Sequence, residues 1–272
     1  MFDIAAYLDR IGLAEAPAPS VEGLGRLQRA HRRAIPFENL DIPLGYGISL
    51  EPDAIFAKLV TRRRGGYCFE QNSLYGAALT TLGFTSRPLL ARVWLGAEGV
   101  PPRTHTLNLV TIDGEAWIAD AGFGGSYVPP MRLVGGAETE TDDGARHRLH
   151  FDPDHGWTLE RRGRYDLTDG RGPDSAEWYT QCSFSTEEVA PIDLELSNHW
   201  TATRPNTRFT TRCIVSLAPP GGFLALTDRT LTISGNGTER IDIDGPAQWR
   251  TLLENAFGIT LTAEEVARLP LF

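Results

Sequence analysis

The chain has 272 residues, 41% hydrophobic and 22% charged, with a formal net charge of −9. Such a composition fits an ordinary soluble globular protein, and the negative charge disfavours a general nucleic-acid binder. Apolar runs are too short to span a membrane, the first ten residues lack the form of a secretory signal, and three distant cysteines form neither a disulfide framework nor a zinc motif, so a cytoplasmic protein without a metal is expected.

Helical patterns open the chain. Asp3 caps a short helix with Ile4, Tyr7, Leu8 and Ile11 inward, ending at Gly12. Ser20 caps a second, with Val21, Leu24, Leu27 and His31 on one stripe, stopped by Pro36. His31 reads as a satisfied structural histidine. A third helix is expected over 54–60. The fourth carries Leu74, Ala77, Ala78 and Leu82 at helical spacing, with Gly83 as its C-terminal stop.

Cys68 stands where the fourth helix begins, in Arg62-Arg63-Arg64-Gly65-Gly66-Tyr67-Cys68-Phe69-Glu70-Gln71-Asn72. A helix N-terminus and nearby guanidinium groups favour the thiolate, which is the nucleophilic form. The competing reading is a small buried hydrophobe, the commonest state of a free cysteine.

From about Arg87 the pattern turns to strands. Segments 89–95, 148–151, 157–161 and 178–184 are expected strands, and 135–144 a polar exposed loop. Thr104 to Ile112 and Glu115 to Asp120 flank Asp113-Gly114, a strong hairpin signal. A two-residue turn pairs Ile112 with Glu115 and sets Asp120 opposite Leu107. His105 then shares a face with Asp120 on the diagonal, within side-chain reach. A carboxylate on one imidazole nitrogen fixes the tautomer and frees the other nitrogen as a base. Cys68, His105 and Asp120 thus form a nucleophile, a base and an orienter. An incidental surface His–Asp pair would show the same spacing.

Beyond these, 192–200 reads as a helix, 209–217, 223–226, 229–233 and 239–243 as strands, and 247–257 and 262–269 as helices. Cys182 and Cys213 read as packing residues; His147, His150 and His155 have no evident partner in a loop-rich stretch; His199 is a weaker site candidate. Gly122-Phe123-Gly124-Gly125 follows Asp120, and successive glycine amides can form an anion nest.

Four segments together resemble the arylamine N-acetyltransferase family: Pro36-Phe37-Glu38-Asn39-Leu40, Arg64 to Asn72, Thr104-His105, and Asp120-Ala121-Gly122-Phe123-Gly124, in that order. The resemblance implies an α+β fold in three parts: a helical bundle over 1–86 carrying the nucleophile, a β-barrel over 87–190 carrying His105 and Asp120, and an α/β lid over 191–272. It implies acetyl-CoA as a donor substrate, no permanently bound cofactor, and a small aromatic amine or hydrazine as acceptor, acetylated by ping-pong transfer through an acetyl-cysteine. It places Thr104, Gly124 and Gly125 at the coenzyme A end of the site and Phe37, Val93 and Phe123 in the acceptor pocket, each of which plain packing would also explain. Arg64 and Glu38 are expected as a structural ion pair, and Arg62 and Arg63 as a solvated face. The lid departs from the family pattern, with Arg204 before Pro205 where a histidine is usual. Alternatives of other kinds are a macrolactam-forming amide synthase of the same fold, a papain- or transglutaminase-like cysteine enzyme, and a non-catalytic scaffold.

Overall fold

The computed structural model describes residues 2–173 and 177–272. Four helices come first: α1 (Ile4–Arg10), α2 (Val21–Ala34), α3 (Pro52–Phe56) and α4 (Cys68–Thr81). The capping expectations hold: Asp3 accepts from the Ala6 amide at 3.0 Å and Ser20 from the Gly23 amide at 3.1 Å. The expected helix over 54–60 is α3 continued by a wider π-helical turn, Ala57–Thr61. Buried Tyr7, Leu24, Leu27, Leu59, Tyr75 and Leu79 join these helices in one apolar core. His31 bridges Tyr7 Oη at 2.8 Å and Gln71 Oε1 at 2.5 Å, and burial pulls its pKa down to about 3, so it is a neutral structural link.

The first strand, β1 (Phe37–Glu38), is followed after α4 by β2 (Thr85–Val93), β3 (Arg103–Ile112), β4 (Glu115–Ala119), β5 (Met131–Arg132), β6 (Glu138–Glu140), β7 (Arg146–Asp152), β8 (Gly156–Arg162) and β9 (Tyr179–Phe184). Strands β2 to β9 make an antiparallel sheet in the order β5-β4-β3-β2-β9-β8-β7-β6. It curls into a nearly closed barrel whose two edge strands are joined by residues 133–137. Leu89, Leu107, Ile118, Leu149, Leu159 and Phe184 fill it. The expected loop over 135–144 contains β6, which pairs with β7; its alternating polar side chains reflect an edge strand facing water, which polarity alone does not distinguish from a loop. His147 accordingly lies on β7, fully buried, and not in a loop.

A second sheet, β1-β10-β11-β12-β13, uses β10 (Ile214–Leu217), β11 (Phe223–Thr227), β12 (Thr230–Ser234) and β13 (Thr238–Asp242). Helix α5 (Pro191–Thr203) leads into this region, and α7 (Pro246–Phe257) and α8 (Ala263–Arg268) pack on it through Trp249, Leu253 and Val266. The strand expected over 209–217 begins only at Ile214, because Arg208–Thr211 form a helical turn, α6, hydrogen-bonded back to Thr207. The chain is thus an α+β protein in three parts. Strand β1, early in sequence, pairs with β10 and ties the first part to the last.

The glycine pair before Cys68 is a packing requirement. A Cβ on Gly65 would lie 2.3 Å from the Pro36 carbonyl oxygen, and one on Gly66 2.9 Å from the Glu70 carboxylate. The glycines let this segment lie against β1, with Glu38 N donating to Gly66 O at 3.0 Å. Beneath it Arg64 binds Glu38 at 2.8 Å and Asp41 at 2.9 Å, while Lys58 binds Asp41 and Glu70 at 2.8 Å each. Arg62 and Arg63 are exposed. Burial works against these charges, but the opposed charges and hydrogen bonds win for Asp41, whose pKa falls. Burial prevails for Glu70, pushed up to about 7.

Removing one member of this network strands its partners in a low-dielectric site. Arg64→Met is expected to lower unfolding stability by about 3–5 kcal/mol in urea titrations. A loss under about 1 kcal/mol, the range of exposed pairs, would show that the network does not hold the segment before Cys68.

Candidate active site

The hairpin has the register counted from its turn. Ile112 pairs with Glu115, and the ladder runs to Asn108 opposite Ala119, which leaves Asp120 as the next residue. Asp113 and Gly114 both have positive φ, 50° and 76°, as a tight two-residue hairpin turn demands. On the other side of β3 the register shifts between Ala91 and Arg92, making Thr104 an extra residue just before His105. Such a bulge re-aims neighbouring groups. Here the Thr104 carbonyl faces the Cys68 sulfur, 3.7 Å away.

His105 Nε2 and Asp120 Oδ2 are 2.6 Å apart, with both residues buried. The carboxylate accepts from Nε2–H, so the other ring nitrogen is left for the Cys68 sulfur, which is close enough to hydrogen-bond the ring. Burial opposes charge on His105, but Asp120 and Cys68 outweigh it and push the imidazole pKa up to about 10. Burial also opposes ionisation of Asp120, and His105, Asn72 and the Gly122 amide reverse it, holding the carboxyl below its usual range. The site therefore holds an imidazolium–carboxylate pair beside the Cys68 sulfur.

Two residues that the sequence reading gave no role position Asp120. Asn72 Nδ2 donates to Asp120 Oδ1 at 2.9 Å and to the Thr106 carbonyl at 2.6 Å, while its oxygen accepts from Ala121 N at 3.0 Å. Gln28 of α2 accepts from the Asp120 amide at 2.9 Å and donates to Val128 O at 2.6 Å. Asn72 was findable, since it lies one helical turn beyond Cys68. Gln28 left no signal, because only the tertiary fold brings α2 to Asp120. Gly122 is tightly confined: a Cβ there would be 2.9 Å from the Cys68 Cα.

A cleft of about 790 Å³ opens over the sulfur. Phe37, Val93, Thr104, His105, Phe123 and Gly124 border it, and Asp120 sits behind His105. The Phe123 ring stands edge-on to His105, centroids 5.3 Å apart. Gly124 is needed for a steric reason that the sequence did not reveal, as a Cβ would lie 2.6 Å from the Phe37 ring. Gly125 is buried just beyond the cleft border, its carbonyl accepting from Asp169 N at 2.9 Å. The far wall comes from Trp200, Thr201, Thr207, Arg208 and Phe209, with Arg171. His199 is exposed and does not border the cleft, nor does Arg204, which caps α5.

The other two cysteines are buried packing residues, and burial raises both thiols, Cys213 to about 12. Arg64 is bound to carboxylates, so the cation beside the Cys68 sulfur is His105 and not the guanidinium expected from sequence.

The fold sets a barrel-borne His–Asp pair against a cysteine at a helix start, and residues 20–266 match the N-acetyltransferase family model. The arylamine N-acetyltransferase of Mycolicibacterium smegmatis is 36% identical over 267 residues, spanning 95% of this chain and 92% of that protein. The solved Salmonella typhimurium arylamine N-acetyltransferase superposes with a TM-score of 0.89 at 33% identity, covering 98% of this chain and 97% of that one. The Mycobacterium marinum arylamine N-acetyltransferase solved in complex with CoA gives 0.86 at 32% identity, covering 98% of each chain. The chain belongs to the arylamine N-acetyltransferase family.

Two outcomes follow from the geometry. Asn72→Leu keeps the side chain's shape and removes the donor to a charged acceptor, a bond worth about 1.5–3 kcal/mol. Thiol-dependent acyl transfer is expected to fall about 10- to 100-fold with the fold intact by circular dichroism. The second concerns pH. His105 is raised from an ordinary 6.5 to about 10 in the folded state, so its charge contributes fully below pH 6.5 and is lost as pH rises through 10. The stability gap between the wild type and His105→Gln, measured by denaturant titration, should be widest below about pH 6.5 and shrink steadily as pH rises to about 10. A gap independent of pH would mean that the imidazole is neutral in the folded protein.

Proposed function

We propose that this protein is an acetyl-CoA-dependent arylamine N-acetyltransferase working by ping-pong transfer through an acetyl-cysteine on Cys68. The observation that carries the reading is the His105–Asp120 pair, 2.6 Å apart, beside the Cys68 sulfur at the floor of an apolar cleft. The relatives' names and the CoA complex of the M. marinum structure support the donor and acceptor classes.

In the first half-reaction the Cys68 thiolate attacks the thioester carbonyl of acetyl-CoA, forming a carbon–sulfur bond and a tetrahedral oxyanion. Collapse breaks the bond to the coenzyme A sulfur, and His105 delivers the proton to that leaving thiolate. An aromatic amine or hydrazine then enters, and its nitrogen attacks the acetyl-cysteine carbonyl while His105 takes the N–H proton. Cys68 leaves as thiolate, reforming its pair with the imidazolium. Asp120 keeps His105 oriented and offsets its charge throughout. Phe37, Val93 and Phe123 supply flat apolar contact for an aromatic ring. Thr104 and Gly124, which border the cleft, face the coenzyme A end of the donor, with Gly125 just behind them.

Incubation with acetyl-CoA and no amine should add one acetyl group to the tryptic peptide containing Cys68, and none in Cys68→Ser. Label on Cys182 or Cys213 would sink the assignment. Asp120→Asn should remain folded and lose acetyl transfer by a factor on the order of 10⁴, the loss found when the orienting aspartate of a triad is so changed. Turnover like that of the wild type would show that the carboxylate does not orient the base.

A further inference from the structure

A second, smaller cavity, of about 70 Å³, lies beside the segment that follows Asp120. Arg29, Arg32 and Arg33 of α2 enter it one helical turn apart. Tyr127 forms its inner wall, and Pro129, Pro219 and the glycines at 221 and 222 its apolar sides. Residues 123 and 124 border the catalytic cleft, so the two cavities are separated by a few residues of one chain segment.

Two features set this cavity apart from a solvated basic face. Arg32 is 2% exposed, yet its Nε has no hydrogen-bond partner, and its single bond is a long one, 3.5 Å, to the Ser126 carbonyl. The Tyr127 hydroxyl is also shielded from solvent; the Arg29 guanidinium is close enough to hydrogen-bond it, and those of Arg32 and Arg33 act on it electrostatically. Buried polar groups are nearly always satisfied, so the unpartnered Arg32 Nε calls for an acceptor in the cavity. Among the described residues neither Arg29 nor Arg32 has a carboxylate within ion-pair distance. Three acids border the mouth: Glu140, Asp142, which Arg33 holds loosely at 3.5 Å, and Asp143, which accepts from the Ala145 amide at 3.1 Å and from Thr141.

We propose that this cavity is a phosphate-binding site formed by Arg29, Arg32, Arg33 and the Tyr127 hydroxyl. Guanidinium forks match the edges of a tetrahedral oxyanion, and a phosphate has enough oxygens for several of them and a phenol donor at once. A carboxylate offers only two oxygens. Asp142 competes with the anion for Arg33.

The phosphate has two chemical sources: free phosphate or a simple monoester, and the phosphates of coenzyme A. The test is isothermal titration of the full chain with inorganic phosphate at constant ionic strength. Saturable binding of one equivalent at millimolar concentration or below is expected. Arg32 is buried and its replacement endangers the fold, so the outer residues carry the test. Tyr127→Phe should weaken binding about five- to tenfold, the loss of one hydrogen bond to a charged group. Arg29→Ala combined with Arg33→Ala should abolish it. Asp142→Asn should tighten it about two- to fivefold by releasing Arg33 from an exposed pair. No saturable binding at tens of millimolar phosphate would overturn the proposal, as would affinities unmoved by all three changes. Repeating the titration in excess coenzyme A distinguishes the sources. Competition assigns the site to the phosphates of coenzyme A, and unchanged affinity assigns it to free phosphate or a monoester.

Discussion

The structure depends most on keeping one carboxylate ionised out of water. Asp120 accepts from His105, from Asn72 and from the Gly122 amide, while its own amide is held by Gln28. Those partners come from β3, α4, the following turn and α2. A charged group buried this deeply is costly unless it is paired and hydrogen-bonded on every side. The carboxylate is satisfied only when helices and barrel meet in one arrangement. Packing of the two layers and orientation of the base are therefore the same event.

The approach of backbone to backbone makes this meeting possible. Glycines 65, 66 and 122 stand where any Cβ would collide with a neighbouring chain segment or side chain. They bring β1, the start of α4 and the turn after Asp120 within a few ångströms of one another. The His31–Gln71 link continues the same device, because Gln71 Nε2 donates to the carbonyls of Pro36, at 2.8 Å, and Gly66, at 3.1 Å. The position of the thiol is set by hydrogen bonds to backbone and not by loop flexibility. The buried ions below, Lys58 and Arg64 with Glu38, Asp41 and Glu70, fix the same segment from the other side.

Charge is distributed against the net balance of the chain. The protein carries a formal −9, yet Arg171 and Arg208 border the cleft over Cys68, both within ion-pair distance of Asp169, at 2.6 and 3.4 Å. Two guanidiniums therefore stand at the border of the cleft in an acidic chain. Near the same segment, Arg29, Arg32 and Arg33 of α2 gather in a second pocket whose mouth also carries Glu140, Asp142 and Asp143. Low-dielectric walls concentrate such fields, so overall charge is a poor guide to what a cleft attracts.

What the sequence determined by itself is whatever short-range chemistry controls. Asp113-Gly114 forces a two-residue turn, and period-two alternation then leaves no choice about which face His105 and Asp120 share. The caps at Asp3 and Ser20, the helix starting at Cys68 and the Arg64–Glu38 pair follow in the same way from local pattern or motif. Tertiary structure decided the rest. Edge strand β6 has a loop's polarity because one side faces water, and Phe209 falls in a helical turn because Thr207 caps it. The partners of Asp120 from α2, the clash that keeps Gly124 a glycine, and the far wall of the cleft all join residues more than 80 positions apart. No local propensity encodes such contacts, since they exist only once apolar burial has brought the separate layers together.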